Sequence, residues 1–206
     1  MAILSIIAPE IPAESKDKFL GAWPTLLAEL TAQPGVAGAS GGLIVAEDGA
    51  PVTDFKFVQV IAFASAKDAE DFAASAFAQE HKDRYRERTG NDPVVGRFEV
   101  PDLPAGKTPT PFTQYSTLVL EDESGHAEVR KAWMDVVQAL GKETFGGRSV
   151  EGPFVGLGMI GWNSLEEAGA AFKDPKAAEA WAAYQKLGKG KNVIVKGLKE
   201  MKLVMR

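Results

Sequence analysis

The segment Lys18–Leu30 recurs at Glu128–Leu140, and this recurrence constrains the fold more than any other feature of the chain. Ala22-Trp23 aligns with Ala132-Trp133, Leu30 with Leu140, and Phe19, Leu26 and Leu27 with Val129, Val136 and Val137. In both copies the apolar positions fall three or four residues apart, the stripe of an amphipathic helix facing a core. A second set of matches lies downstream: Phe63 with Trp162, Ser65 with Ser164, Ala69 with Ala168, Glu80 with Glu179, Tyr85 with Tyr184 and Val94 with Val193. The shift is 110 positions in the first set and 99 in the second, which places 11 extra residues in the first copy, around Leu43–Thr53. Glu47-Asp-Gly-Ala-Pro in that stretch has hairpin-turn chemistry, and a surface hairpin tolerates added length. Matches on both sides of one length change argue for a duplicated unit.

The segments around these helices read as strands. Ile3–Ile7 is a short apolar run closed by Pro9 and Pro12. Asp54–Ser65 carries Phe55, Phe57, Val58, Val60, Ile61 and Phe63, the pattern of a strand buried on both faces. Ala66–Arg88 reads as one helix stopped by Gly90-Asn-Asp-Pro, and Val94–Val100 as a closing strand. The second copy repeats the order: strand Tyr115–Leu120, helix Ser124–Leu140, a hairpin from Gly146–Gly152 and Val155–Trp162, helical signals over Ser164–Leu187 interrupted at Lys173-Asp-Pro-Lys, and strand Asn192–Leu198. Ser15 and Ser124 are the expected helix N-caps, and Pro24 is expected to kink the first helix. Pro101–Pro111 holds four of the chain's 12 prolines and reads as an extended linker. The expected organisation is therefore a first unit over 1–100, a linker over 101–111 and a second unit over 112–206. Each unit is β-α-β-β-α-β, the ferredoxin-like arrangement, in an α+β protein. Strands apolar on both faces need cover beyond their helices, and the other unit is the natural cover, so the two sheets are expected to pack face to face.

Composition narrows the class. Hydrophobic residues make up 45% and charged residues 25% of 206, as in an ordinary globular protein. A net charge of −5 offers no overall attraction to nucleic acid or to an anionic membrane. With no cysteine there is no disulfide, thiolate nucleophile or Cys-based metal site. Ile3–Ala8 is too short for a signal peptide and no apolar run reaches membrane-spanning length, so a cytoplasmic protein is expected. No phosphate loop, dinucleotide fingerprint or nucleophile elbow occurs. The basic tail Lys186–Arg206 lacks interleaved aromatics and reads as a solvated face.

Two fused ferredoxin-like units, the repeated apolar helix stripe and the passage Trp162-Asn-Ser-Leu-Glu-Glu-Ala together resemble the dimeric α/β barrel superfamily. Its members include antibiotic-biosynthesis monooxygenases, stress-responsive barrel proteins, small polyketide cyclases and haem-degrading enzymes. Usually two chains make that barrel; this chain resembles a fused pair. The resemblance implies a ligand pocket between sheet and helices, served by a histidine near the second helix. It implies a cofactor-independent monooxygenase or cyclase acting on a phenolic or polyketide-type substrate, with no metal and no bound cofactor. The alternatives it brings are a non-catalytic stress-responsive or small-hydrophobe-binding protein, and a haem-binding protein. The partner is a small hydrophobic or aromatic molecule, not nucleic acid or membrane, and the chain is expected to be a monomer or homodimer.

His81, in Ala78-Gln-Glu-His81-Lys-Asp-Arg-Tyr85, stands where the resemblance implies a histidine, and Ala180 is its counterpart in the second copy. Imidazole can act as base or acid near neutrality; the other reading is a solvated helix residue among Glu80, Lys82, Asp83 and Arg84. The only other histidine, His126, opens the third helix as an exposed first-turn residue. Tyr85 could bond a substrate oxygen, or pack like its counterpart Tyr184. Gln59 is the single polar residue on the face of Phe57, Ile61 and Phe63, where it binds a ligand or ties to backbone. Phe63 and Trp162, at equivalent strand ends, are candidate pocket walls. Trp23 and Trp133 read as core.

Overall fold

The computed structural model of the chain describes residues 1–101, 103, 110–198 and 202–203. Its elements run β1 (Ala2–Ile7), α1 (Lys16–Thr31), β2 (Val36–Glu47), β3 (Ala50–Pro51), β4 (Phe57–Phe63), α2 (Ala66–Ala74), α3 (Ala76–Thr89) and β5 (Val95–Val100). They continue with β6 (Phe112–Val119), α4 (His126–Leu140), β7 (Thr144–Ser149), β8 (Val155–Trp162), α5 (Leu165–Ala171), α6 (Pro175–Gln185), β9 (Lys189–Gly197) and β10 (Lys202–Leu203). The protein is thus mixed α+β. It divides into two compact units: Met1–Ile44 with Val52–Lys107 and Leu198–Arg206, and Val45–Pro51 with Thr108–Gly197.

In the first unit β1 lies between β4 and β5, β2 pairs with the far side of β4, and β10 adds to β2; every pairing is antiparallel. Trp23, Leu27 and Leu30 of α1 close over Ile3, Phe57, Ile61 and Phe63 of the sheet. The opposite face is also apolar and buried, through Leu4, Val58, Val60, Phe98 and Val100. β2 begins at Val36, and its glycines leave room for rings. A Cβ on Gly41 would lie 2.8 Å from Cη2 of Trp23, inside van der Waals contact.

In the second unit β6 lies between β8 and β9, and β7 pairs with β8. Val129, Trp133 and Val136 of α4 pack with Ile160 and Trp162 of β8 and Tyr184 of α6. The hairpin tip Val45–Pro51 belongs to this unit. There Asp48, at φ +46°, donates its N–H to Asn192 O and accepts the Asn192 N–H on Oδ1, both at 2.8 Å.

Local chemistry corrects several expected boundaries. The helix Ala66–Arg88 is two helices, because Ser75 interrupts it. Its hydroxyl donates to Phe72 O at 2.6 Å, ending α2, and accepts Ala78 N–H at 3.2 Å, opening α3. At the corresponding expected break, Asp174 caps α6 by accepting the N–H groups of Lys176 and Ala177. Ser15 makes no side-chain cap bond, and α4 is entered through a turn whose cap is Asp122, accepting Ser124 N–H at 2.8 Å, not Ser124 itself. α1 continues through Pro24 to Thr31.

The length difference between the two units is also divided differently from the expected 11 residues around Leu43–Thr53. Gly41 faces Gln59 across β2 and β4, and Gly146 faces Gly158 across β7 and β8. The chain from Gly41 to Gln59 is half again as long as that from Gly146 to Gly158, and the chain from Leu30 to Gly41 also exceeds that from Leu140 to Gly146. The difference in length therefore falls on both sides of Gly41. Most of the expected linker Pro101–Pro111, and the end of the basic tail, lie outside the described residues. Among the described residues no helix is long and apolar enough to cross a membrane.

Candidate functional site

His81 sits one turn after Phe77 on α3, half-buried, with its ring centroid 4.2 Å from that of Phe77. Its Nδ1 lies 2.9 Å from Phe77 O. A carbonyl can only accept, so this hydrogen bond places the proton on Nδ1 and leaves Nε2 of the neutral ring as an acceptor. A ring chain leads from there into the core: Phe77 to Phe72 at 6.2 Å, and Phe72 to Phe63 at 5.3 Å. Phe63 is buried at 1% exposure and is linked to His81 through these two rings.

Tyr85, one turn further along α3, points to the end of β1, where its hydroxyl accepts the backbone N–H of Glu10 at 3.2 Å. Arg88 covers its ring at 5.5 Å. Tyr184 differs. It is 1% exposed, its ring lies 5.3 Å from Trp133, and its hydroxyl accepts from Ser116 Oγ at 3.3 Å. Burial pushes its phenol above the ordinary tyrosine range, with the Ser116 bond opposing. α4 and α6 run side by side, whereas α1 and α3 do not pack in that way.

Gln59 lies at the centre of β4, paired with Ile7 on one side and Gly41 on the other. It is half-buried, and its side chain makes no hydrogen bond among the described residues. Trp162 of the second unit is fully buried. Its Nε1–H donates to Gln114 Oε1 at 3.0 Å and Lys142 Nζ stands 4.7 Å over its ring. Lys142 also pairs with Glu167 at 2.6 Å, and this bond, with the Asn163 N–H, holds the Glu167 carboxyl below the usual range.

The two units hold different polar groups on their helix-covered faces. In the second, Gln114 serves Trp162 and Ser116 serves Tyr184, while Nε2 of Gln185 and Oδ1 of Asn192 are buried without a partner among the described residues. In the first, Gln59, Nε2 of His81 and the indole N–H of Trp23 are uncommitted among the described residues; Trp23 Nε1 is buried with no partner. Buried polar groups are nearly always bonded, so an unpartnered donor calls for explanation. Sequence reasoning assigned Trp23 to the core, which its 2% exposure bears out, and missed its unpaired donor. Gln114 and Ser116 were missed because only the pairing of β6 with β8 and the packing of α6 on the sheet bring them to Trp162 and Tyr184.

No protein-family model matches the chain, and no curated protein matches it. Solved structures do. A candidate monooxygenase from Fusobacterium nucleatum subsp. nucleatum superimposes with a TM-score of 0.67 at 10% identity, covering 98% of this chain and 94% of that one. A candidate monooxygenase from Lactobacillus acidophilus gives 0.60 at 12%, covering 98% and 96%. An anthrone oxidase-like protein gives 0.63 at 16%, covering 98% and 92%. At these identities the likeness is one of fold, shared over nearly the whole chain.

Proposed function

We propose that this protein is a monooxygenase-like enzyme, independent of a cofactor, whose base is His81 of the first unit. The carrying observation is the hydrogen bond from Nδ1 to Phe77 O, which leaves Nε2 free to accept a proton. The names of the structural neighbours support the reaction class, and the anthrone oxidase-like protein supports a phenolic or polyketide-type substrate. On an anthrone, Nε2 takes a proton from the acidic CH2 carbon. The resulting carbanion forms a C–O bond to dioxygen, which the substrate reduces to a peroxide. His81 returns its proton to give the hydroperoxide, which loses water and leaves a ketone; CH2 and O2 become C=O and H2O. Gln59 would bond the substrate oxygen, Tyr85 would serve the α3 side, and Phe63 and Trp162 would supply apolar backing in their respective units.

The proposal extends to architecture: two ferredoxin-like halves from a duplication, arranged as a dimeric α/β barrel within one chain. The shared strand order, with the first strand between the third and fourth, supports it. So does the seating of a tryptophan on a strand glycine in each unit.

The complete burial of Phe63 and Trp162 favours a second reading, a small-hydrophobe-binding protein without turnover. Oxygen uptake with anthrone separates the two. The enzyme reading expects uptake that falls about 10²–10⁴-fold in His81→Ala, with the melting temperature unchanged. Binding of anthrone without uptake would establish the second reading instead.

A further inference from the structure

Three features particular to the first unit meet at one point. Trp23 is 2% exposed, yet its Nε1–H has no partner among the described residues. Gln59 stands where the second unit has Gly158, since each faces a glycine on the neighbouring strand, Gly41 and Gly146. Trp133 settles onto Gly158, where a Cβ would lie 2.6 Å from its Cζ3. Gln59 faces Gly41 in register, and Trp23 lies on Gly41, one strand over. The register thus sets the uncommitted amide's residue opposite the glycine that carries the indole. Pro24 follows Trp23 directly, where the second unit has Met134. Proline has no N–H to give Leu20 O, so the helical ladder is interrupted at the turn that carries Trp23. The ring is bordered by Phe57 at 4.8 Å and by the half-buried Phe19 at 6.2 Å.

We infer that Trp23 is a ligand-recognition residue: its indole N–H bonds the oxygen of a planar aromatic ketone or phenol that enters where Pro24 loosens α1 and lies against Phe19 and Phe57. Phe19 and Phe57 supply ring faces, and a carbonyl or phenolate oxygen satisfies a donor that the fold leaves unpaired. This rests on the substrate class proposed above and adds the residue that reads its oxygen.

The test follows the four indole N–H resonances of the 15N-labelled protein during titration with anthrone, with the Trp23 signal assigned by its loss in Trp23→Phe. The expected result is a downfield displacement of that resonance, larger than for Trp133, Trp162 or Trp181. Affinity for anthrone should fall on the order of tenfold in Trp23→Phe, the size of one lost hydrogen bond. The wild-type resonance decides the matter even where that variant folds poorly. If anthrone is oxidised while the Trp23 resonance stays in place, this inference is overturned and the proposed function stands; if anthrone binds without oxidation and that resonance stays in place, the inference is overturned and the small-hydrophobe-binding reading takes over. If anthrone moves no resonance and consumes no oxygen, both fall.

Discussion

The indole of Trp133 rests on Gly158 so closely that no side chain fits between them. The obstructing atoms are a buried ring and not the end of a flexible chain, so the neighbour cannot give way cheaply. Gly158→Ala should cost about 1–3 kcal/mol by overpacking, measured as denaturant unfolding. Gly41→Ala, under Trp23 and Phe57, should behave likewise. A change below about 0.5 kcal/mol at both positions would mean that the helices ride freely over their sheets.

Ser116 and Tyr184 form an isolated buried pair. Removing one partner strands the other. Tyr184→Phe should therefore destabilise by about 1–3 kcal/mol, and Tyr184→Phe with Ser116→Ala by less than the sum of the single changes. The pH dependence has a definite sign. The folded phenol is raised, so its contribution is complete below the unfolded value of about 10 and declines as pH rises through the folded value. Tyr184→Phe should lack that alkaline decline in thermal melts.

Glu167 gives the opposite dependence. Its carboxyl is lowered, first by Lys142 and then by the Asn163 N–H, so its contribution is present above the unfolded value of about 4.3 and is lost as pH falls through the folded value. The melting-temperature gap between wild type and Glu167→Gln should narrow as the medium is acidified from neutrality into that range, and added salt should shrink it. A gap independent of pH would remove the ion pair from the account.

Tyr85 is placed to distinguish a chemical from a packing role. Its hydroxyl accepts one exposed backbone N–H, so Tyr85→Phe should change stability by less than about 1 kcal/mol. If the hydroxyl also serves the substrate, anthrone oxidation should drop by about tenfold; an unchanged rate would leave Tyr85 as a tether for the Pro9–Pro12 segment.

Much of this was legible in residue order alone. The spacing of Phe19, Trp23, Leu27 and Leu30 determines which side of α1 is buried, whatever the partner. The run from Phe57 to Phe63 announces a strand wet on neither face. The break at Ser75 was not legible, because one serine inside a helical pattern usually stays solvated; here its hydroxyl bonds two backbone groups at once. Asp122 in place of Ser124 reflects a three-residue turn ahead of α4 that propensity does not reveal. His81 could be singled out by residue type, but its Nδ1 bond is a matter of rotamer. The unpaired donor of Trp23 is the least legible of all, since an indole on an apolar stripe reads as core and is core. Only the register of Gly41 against Gln59 exposes the difference from Trp133.

Trp23 is the sole tryptophan of the first unit, while Trp133, Trp162 and Trp181 all belong to the second. The chain thus carries a built-in pair of optical channels. Ultraviolet emission from the native protein reports mostly on the second unit, and the difference between wild type and Trp23→Phe isolates the first. Unfolding followed in both channels at once will tell whether the two units melt together or in sequence, with no label attached.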